Sequence, residues 1–394
     1  MKKQPYQLQT KLLHNAQKVD GLTGAVSVPV NRTSTFHQFD FDKYGKYDYS
    51  RSGNPTRESL EEVIAELEGG YKGFAFASGM AAISTALMIL SKGDHLLISE
   101  DVYGGTFRFV TKVLPRFGVD YTFVDMSHIE EVAANIKDNT KIVYIETPSN
   151  PLMKIADIKQ IAKLAKEKDC LTFVDNTFMT PVLQRPLELG ADVVLYSATK
   201  FIAGHSDCVA GLAVAAHKEI AEQIYFLQNT IGAVLSPDDS WLVLRGLKTL
   251  HVRMAQSSRS AQQIAEFLSG HSAVQEVYYP GLDNHADRDI HEAQSQSPGA
   301  VLSFSLKDEQ SVRIFKRHAE IPVFSVSLGA VESILSYPAK MSHAAMPKQE
   351  REKRGITDGL LRFSVGLEDP DDLIKDFAKA LSAVERLSEI GIGG

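Results

Sequence analysis

The sequence predicts an α/β protein with a mostly parallel sheet, followed by a smaller α+β domain. Three observations carry this prediction. From Glu58 onward, short apolar runs alternate with helix-like segments of about ten residues or more, the pattern of βαβ units. Around residues 235–270 that alternation gives way to a long helical stretch, after which strands and helices are differently arranged. The chain's 394 residues are also long for one hydrophobic core, so two domains are expected.

Residues 1–50 hold Pro29, Asn31, Thr33 and Ser34 and then several aromatic residues, without helical periodicity, and read as an extended arm. Leu60–Leu67 reads as a helix stopped by Gly69-Gly70, and Phe74–Ala77 as a short buried strand. Ser78 then opens a helix to about Leu90. Next come a strand at His95–Ile98, a helix near Gly105–Arg116 and a strand at Asp120–Val124. Lys141–Glu146 is a strand leading into the turn Thr147–Pro151, Asp157–Lys168 a helix, and Leu171–Asp175 and Asp192–Tyr196 two further strands. Ser236-Pro237-Asp238-Asp239 caps the long helical stretch, which runs with interruptions toward Leu268. Strands are expected at Val274–Tyr278, Ala300–Leu306 and Gly359–Val365, and helices at Gln310–His318 and Pro370–Leu387. The resulting division is 1–50 arm, 51–248 large domain and 249–394 small domain.

Composition narrows the function. The chain is 44% hydrophobic and 23% charged, as in an ordinary globular protein, and its net charge of −7 disfavours nucleic acid or an anionic membrane as partner. No apolar run approaches the ~20 residues that span a bilayer, the longest candidate being Ala81–Leu90. Met1–Tyr6 is polar and lacks the apolar core of a secretory signal. The two cysteines are too few for a disulfide framework, which points to a cytoplasmic protein.

The chemistry concentrates where apolar runs end. Asp175 closes one run; Ser197, Thr199 and Lys200 follow another. A carboxylate, a hydroxyl pair and an amine at strand ends suit pyridoxal phosphate (PLP): the carboxylate for the ring nitrogen, the hydroxyls for the phosphate, the amine for a Schiff base. Taken singly, Asp175 reads equally as an N-cap, and Lys200 as a solvated lysine. Ser78-Gly79-Met80 sits at a helix start suited to phosphate, and also reads as an ordinary capped helix. Tyr103 could cover a flat cofactor or simply occupy a turn. Tyr49 and Arg51 offer a phenol and a guanidinium for phosphate within what composition alone makes a polar loop. There is no Gly-x-Gly-x-x-Gly after a strand, no Walker Gly-Lys-Ser/Thr and no Gly-x-Ser-x-Gly, which disfavours dinucleotide, P-loop and serine-hydrolase chemistry. His205, Cys208 and His251 lack metal-ligand spacing, so no metal is expected. Lys348–Arg354 reads as a solvated face.

With these residues in place, the chain resembles the Cys/Met-metabolism family of PLP enzymes, which includes cystathionine γ-synthases, cystathionine β- and γ-lyases and methionine γ-lyases. The matches, in order, are Tyr49–Thr56, Ser78–Met80, Asp101–Thr106, Val174–Thr177, Ser197–Lys200 and Ser327–Gly329. The resemblance implies an aspartate-aminotransferase-like (type I) fold with a seven-stranded sheet, and a homotetramer of two active dimers. It implies Lys200 as the cofactor-bearing lysine and base, Asp175 at the pyridine nitrogen, and Tyr103 on the ring and as proton relay. Ser78, Gly79, Met80, Ser197 and Thr199 would hold the phosphate, joined by Tyr49 and Arg51 from a neighbouring subunit. Arg362 would grip the substrate α-carboxylate, aided by Asn150 and Ser327.

Within the family, Tyr103–Arg108, Gly329–Pro338 and Met341–Ala344 resemble most the cystathionine β-lyases of Gram-positive bacteria. Val326 stands where many γ-acting members carry glutamate, Leu328 where proteobacterial β-lyases carry tryptophan, and Gly105 where methionine γ-lyases usually carry cysteine. Arg108, Tyr49 and Leu328 join the expected substrate contacts. The alternatives are a γ-lyase or γ-synthase, and a PLP-binding regulatory protein, against which Lys200, Asp175 and Arg362 together argue.

Overall fold

The strands of the main sheet are apolar on both faces because both faces are covered. The computed structural model describes residues 6–14, 19–344 and 346–389. The seven strands are β1 (Lys72–Phe76), β2 (His95–Ser99), β3 (Asp120–Val124), β4 (Thr140–Glu146), β5 (Leu171–Asp175), β6 (Val193–Ser197) and β7 (Gly211–Ala215), in the order β1-β7-β6-β5-β4-β2-β3. Pairing from β3 through β6 is parallel, and β7 runs against both its neighbours. The expected mostly parallel, seven-stranded sheet is therefore present.

Side-chain alternation divides the core. Leu96, Ile142, Tyr144, Phe173, Val193 and Leu195 pack on one face, against helices Gly79–Leu87, Gly104–Lys112 and Lys218–Ile231. On the other face, Val143, Ile145 and Val174 meet helix Ile158–Glu167, while Val194, Leu212 and Val214 meet Pro55–Glu68 and Pro237–Leu247. Helix Pro55–Glu68 stops at Gly69, φ +71°, as expected, but it begins well before the expected Leu60, with the Asn54 side chain capping it and Pro55 opening it.

A second sheet follows in the order β10 (Val323–Phe324), β11 (Ile334–Ser336), β12 (Leu360–Ser364), β9 (Val301–Ser305) and β8 (Glu276–Tyr278). Helices Glu309–His318 and Pro370–Glu389 pack against it. Phe304, Phe315, Phe363 and Phe377 form its aromatic centre, with Phe363 and Phe377 centroids 4.8 Å apart.

Several elements depart from the sequence reading. The amino-terminal arm contains a helix, Leu8–His14, whose buried Leu12 joins the core beside Pro55–Glu68. Seven residues are too few to be helical alone, so this contact makes the helix. The polar stretch Met1–Pro5 lies outside the described residues. Helix Ile129–Asn135, strand β7 and helix Lys218–Ile231 also went unpredicted. Strand β7 is rich in Gly and Ala, poor strand formers, and is set by burial between β1 and β6. The interruption in the long helical stretch falls at Lys248–Thr249, where the carbonyl of Gly246 is taken by the Arg253 guanidinium at 2.9 Å. Nor is Lys348–Arg354 wholly solvated. Arg351 is buried and donates to the Ile356 carbonyl and to Asp358, both at 2.7 Å.

Phe377 touches all three other aromatic rings of the small core. Phe377→Ala should cost ~3–5 kcal/mol of stability, measured by urea unfolding followed by circular dichroism.

Candidate active site

Parallel strands present their carboxyl ends on one edge of the sheet, and β4, β5 and β6 each deliver a polar group there. Glu146 closes β4, Asp175 closes β5 in register with it, and Ser197 closes β6. Asp175 is buried. Its Oδ1 accepts the Thr177 N–H at 3.1 Å and hydroxyl at 2.6 Å, and its Oδ2 accepts the Tyr144 hydroxyl at 3.3 Å. Burial raises the Asp175 pKa, and these three donors pull it back. The Thr177 oxygen also accepts the Ser197 N–H at 2.9 Å, tying the ends of β5 and β6 together. Glu146 accepts the Tyr103 N–H at 3.0 Å. Burial first and the neighbouring Asp175 second hold the Glu146 pKa well above the carboxylate range, so the pair carries one negative charge rather than two.

Lys200 lies in the turn after β6 and donates to Ser327 Oγ at 2.6 Å. Its pKa is pushed down to about 8, first by burial and then by the charge of Arg362. At a pKa of about 8 the protonated amine still predominates near physiological pH, but a far larger share is neutral than for an ordinary lysine. Ser327 reaches it because the Ser327–Gly329 turn folds tightly over Lys200. Ser327 sits at φ +85°, an uncommon value for a residue with a side chain, and Gly329 at φ +78°. A Cβ on Gly329 would lie 3.1 Å from that of Lys200.

Arg362 comes from β12 of the second sheet. Nη1 donates to Asn150 Oδ1 and Nη2 to the Ser327 carbonyl, both at 2.8 Å, while its buried Nε has no partner. Burial lowers its pKa to about 10, which leaves it cationic. A buried guanidinium with an unused N–H is suited to a carboxylate.

The candidate phosphate cradle lies where β1 and β6 end level with each other across β7: Phe76 and Ser197 both pair with Gly211. Ser78 caps helix Gly79–Leu87, its hydroxyl accepting the Ala81 N–H at 3.0 Å. A Cβ on Gly79 would stand 2.9 Å from Ser197 Oγ, and one on Gly211 would collide with the Ser78 carbonyl. Both glycines therefore allow the helix amino terminus to close onto Ser197. Thr199 is more engaged than expected, exchanging hydrogen bonds with Ala210 N–H and carbonyl at 2.9 and 3.1 Å.

Tyr103 opens helix Gly104–Lys112 with its ring partly exposed. A Cβ on Gly105 would meet that ring and, at 2.9 Å, the Met80 sulfur, so these three residues adjoin. Arg108 lies exposed about one turn further along the same helix. Leu328 is buried in the core with Phe201 and Ile202. Tyr49 and Arg51 are both exposed, the Arg51 guanidinium lying 5.6 Å from the Tyr49 ring centroid, and a Cβ on Gly232 would stand 3.6 Å from Arg51 Cδ.

Sequence reasoning did not assign Tyr144, Glu146, Arg253 or His343. Tyr144 and Glu146 alternate on β4, a signal readable only once β4 is known to adjoin β5. Arg253, buried, donates to the Phe201 carbonyl at 2.6 Å and braces the chain just after Lys200. Burial drops the pKa of His343 to about 4, leaving it neutral. Its neighbour Ser342 abuts Gly104. No group of three or more His, Cys, Asp or Glu side chains among the described residues could hold a metal ion.

A low-pKa lysine, a fixed carboxylate at a strand end, a glycine-lined helix amino terminus and a buried guanidinium with a free N–H fit PLP together with an amino-acid substrate. On this sheet they define a PLP enzyme of the aspartate-aminotransferase-like type I fold. The chain belongs to the Cys/Met metabolism PLP-dependent enzyme family, which it matches over residues 9–382. It is 62% identical to cystathionine beta-lyase MetC of Bacillus subtilis, over 98% of this chain and 100% of that protein. It is 49% identical to cystathionine gamma-lyase of the same species, over 95% and 99% of the two chains. Among solved structures, cystathionine gamma-lyase from Lactobacillus plantarum complexed with L-serine superposes with a TM-score of 0.94, at 44% identity over 96% of this chain and 100% of that one.

Only the neutral amine of Lys200 attacks an aldehyde, so PLP addition to the cofactor-free protein should accelerate as pH rises through about 8. Arg362→Gln removes a positive neighbour and should move that midpoint upward. Absorbance-monitored reconstitution across pH checks both, and a wild-type midpoint at the ordinary 10.5 would contradict the geometry.

Proposed function

We propose that the protein is a cystathionine β-lyase, converting L-cystathionine and water into L-homocysteine, pyruvate and ammonia. The observation that carries the reading is the linked set Lys200–Ser327–Arg362–Asn150, which puts a proton-accepting amine beside a carboxylate clamp. Bound PLP supplies an electron sink that lets negative charge rest at the substrate Cα. Arg362, held by Asn150, binds the α-carboxylate and so orients the Cα–H bond. Lys200, its amine steadied by Ser327, takes the Cα proton. Asp175 stabilises a protonated ring nitrogen, its orientation held by Thr177 and Tyr144. Tyr103, at the exposed rim, carries a proton toward the departing homocysteine sulfur.

The choice of β- over γ-cleavage is supported by the Bacillus subtilis β-lyase at 62% identity against 49% for the γ-lyase. It is also supported by Val326, which is 60% exposed beside the Ser327 turn and offers no carboxylate for a distal ammonium. We assign the distal carboxylate of cystathionine to Arg108, supported by its exposure on the helix that Tyr103 opens.

The site is completed in this reading by a second copy, with Tyr49 and Arg51 reaching the phosphate of a neighbour in a homotetramer of two dimers. The exposed apolar residues of the 1–50 arm support it: Leu22 and Phe41 are each 93% exposed, a patch that a second subunit would cover. Residues 51–248 then form the cofactor-binding domain and 249–394 the small domain. Cytoplasmic residence is supported by two buried, unpaired cysteines; no helix of the described residues is long and apolar enough to cross a membrane.

Purified protein given L-cystathionine should yield pyruvate and homocysteine. Recovery of 2-oxobutyrate and cysteine would instead assign γ-elimination, and a yellow but inert protein would favour a regulatory role. Lys200→Ala should retain noncovalent PLP binding and lose at least ~10²–10⁴-fold in kcat, as expected for removal of a positioned base. Near-normal pyruvate release by that variant would remove Lys200 from the role.

A further inference from the structure

Outside the site, two charged residues join the segments on which it depends. Arg57 and Glu61 lie one turn apart on helix Pro55–Glu68. The buried guanidinium of Arg57 donates through Nη1 to the Ser50 carbonyl at 2.6 Å and through Nη2 to the Arg51 carbonyl at 3.0 Å. Its Nε faces Glu61 Oε1 at 3.4 Å, an ion pair in which Nε makes no hydrogen bond. The same Glu61 oxygen accepts the N–H of Ala75 in β1 at 3.0 Å, and β1 runs directly into Ser78-Gly79-Met80. The Ser50 and Arg51 carbonyls belong to a turn closed by the Ser52 and Gly53 N–H groups on the Tyr49 carbonyl, at 2.9 and 3.0 Å. The side chain of Arg51 itself projects outward, exposed.

The geometry points to Arg57 as a positioning residue that fixes the Tyr49–Arg51 turn by its two carbonyls, so that Arg51 is presented at a set reach to the cofactor phosphate of a neighbouring subunit. The inference rests on the shared-site reading above. Only a planar fork can hold two successive carbonyls while a third N–H faces a carboxylate; an ammonium cannot. With all three edges of its guanidinium turned inward, Arg57 is not available to touch the cofactor. Through Glu61 and Ala75 it also connects the phosphate-reaching turn to the strand that leads into the subunit's own phosphate cradle.

The test is a double-mutant cycle read as the dissociation constant of PLP, titrated into cofactor-depleted full-length protein. Arg57→Lys keeps the charge and loses the fork; it should weaken PLP binding about tenfold with little change in circular dichroism. Arg51→Ala should weaken it at least as much. The combined variant should be no worse than Arg51→Ala alone, because Arg57 acts through Arg51. Glu61→Gln keeps an acceptor for Ala75 and removes the negative charge facing Arg57; it should give a smaller loss that likewise vanishes in the Arg51→Ala background, and it decides the matter if Arg57→Lys does not fold. Unchanged affinity in Arg57→Lys beside a weakened Arg51→Ala would overturn the positioning role alone. Losses that simply add would make Arg57 a structural residue and overturn it too. An Arg51→Ala protein with full PLP affinity would overturn the shared-site reading, and this inference with it.

Discussion

The buried Arg362 guanidinium is the interaction on which the site depends. It enters from the second sheet, takes Asn150 from the loop after β4, and holds the Ser327 carbonyl whose side chain in turn meets Lys200. One cation thus joins both sheets to the reactive amine, and its charge helps keep that amine partly neutral. Burying a guanidinium is costly unless its N–H groups are met, and here one N–H stays unmet. In the proposed function, a substrate carboxylate meets that residual demand.

A second constraint acts on the anionic side. Glu146 and Asp175 end adjacent strands in register, too close and too buried for both to ionise. The asymmetry of their partners decides which one keeps the charge. Three donors point at Asp175, whereas Glu146 receives one backbone N–H, from Tyr103. In the proposed function, Asp175 is therefore the carboxylate that faces a protonated ring nitrogen. Glu146 serves instead to seat the start of the helix that carries Tyr103 and Arg108.

The amino-terminal arm follows a different logic. Its backbone is tied to helix Pro55–Glu68 through Thr56, whose hydroxyl accepts the Asn31 N–H and donates to the Pro29 carbonyl, yet Leu22, Phe39 and Phe41 face outward. A segment anchored on one side and apolar on the other is shaped for a partner surface. In the proposed tetramer, the same anchoring would set how far Arg51 reaches.

Local sequence was enough for much of this. Apolar runs alternating with helix-like segments, and the Gly69 stop, made the βαβ pattern legible, and strand-end placement singled out Asp175, Ser197 and Lys200, whereas the Asn54-Pro55 start of the first large helix was missed. Strand β7 and helix Leu8–His14 were not legible, because burial between neighbours makes the first and a single contact through Leu12 supports the second. Leu328, singled out by the family resemblance as a substrate contact, is buried in the core beside Phe201. Sequence by itself determined which groups exist and which of them stand at strand ends, since strand ends are punctuated locally. Only the tertiary structure decided that Arg362 faces Asn150 across 212 residues of chain, that Glu146 adjoins Asp175, and that Lys200 titrates near 8. Charge coupling and desolvation depend on distances through space, and no local pattern of residues encodes them.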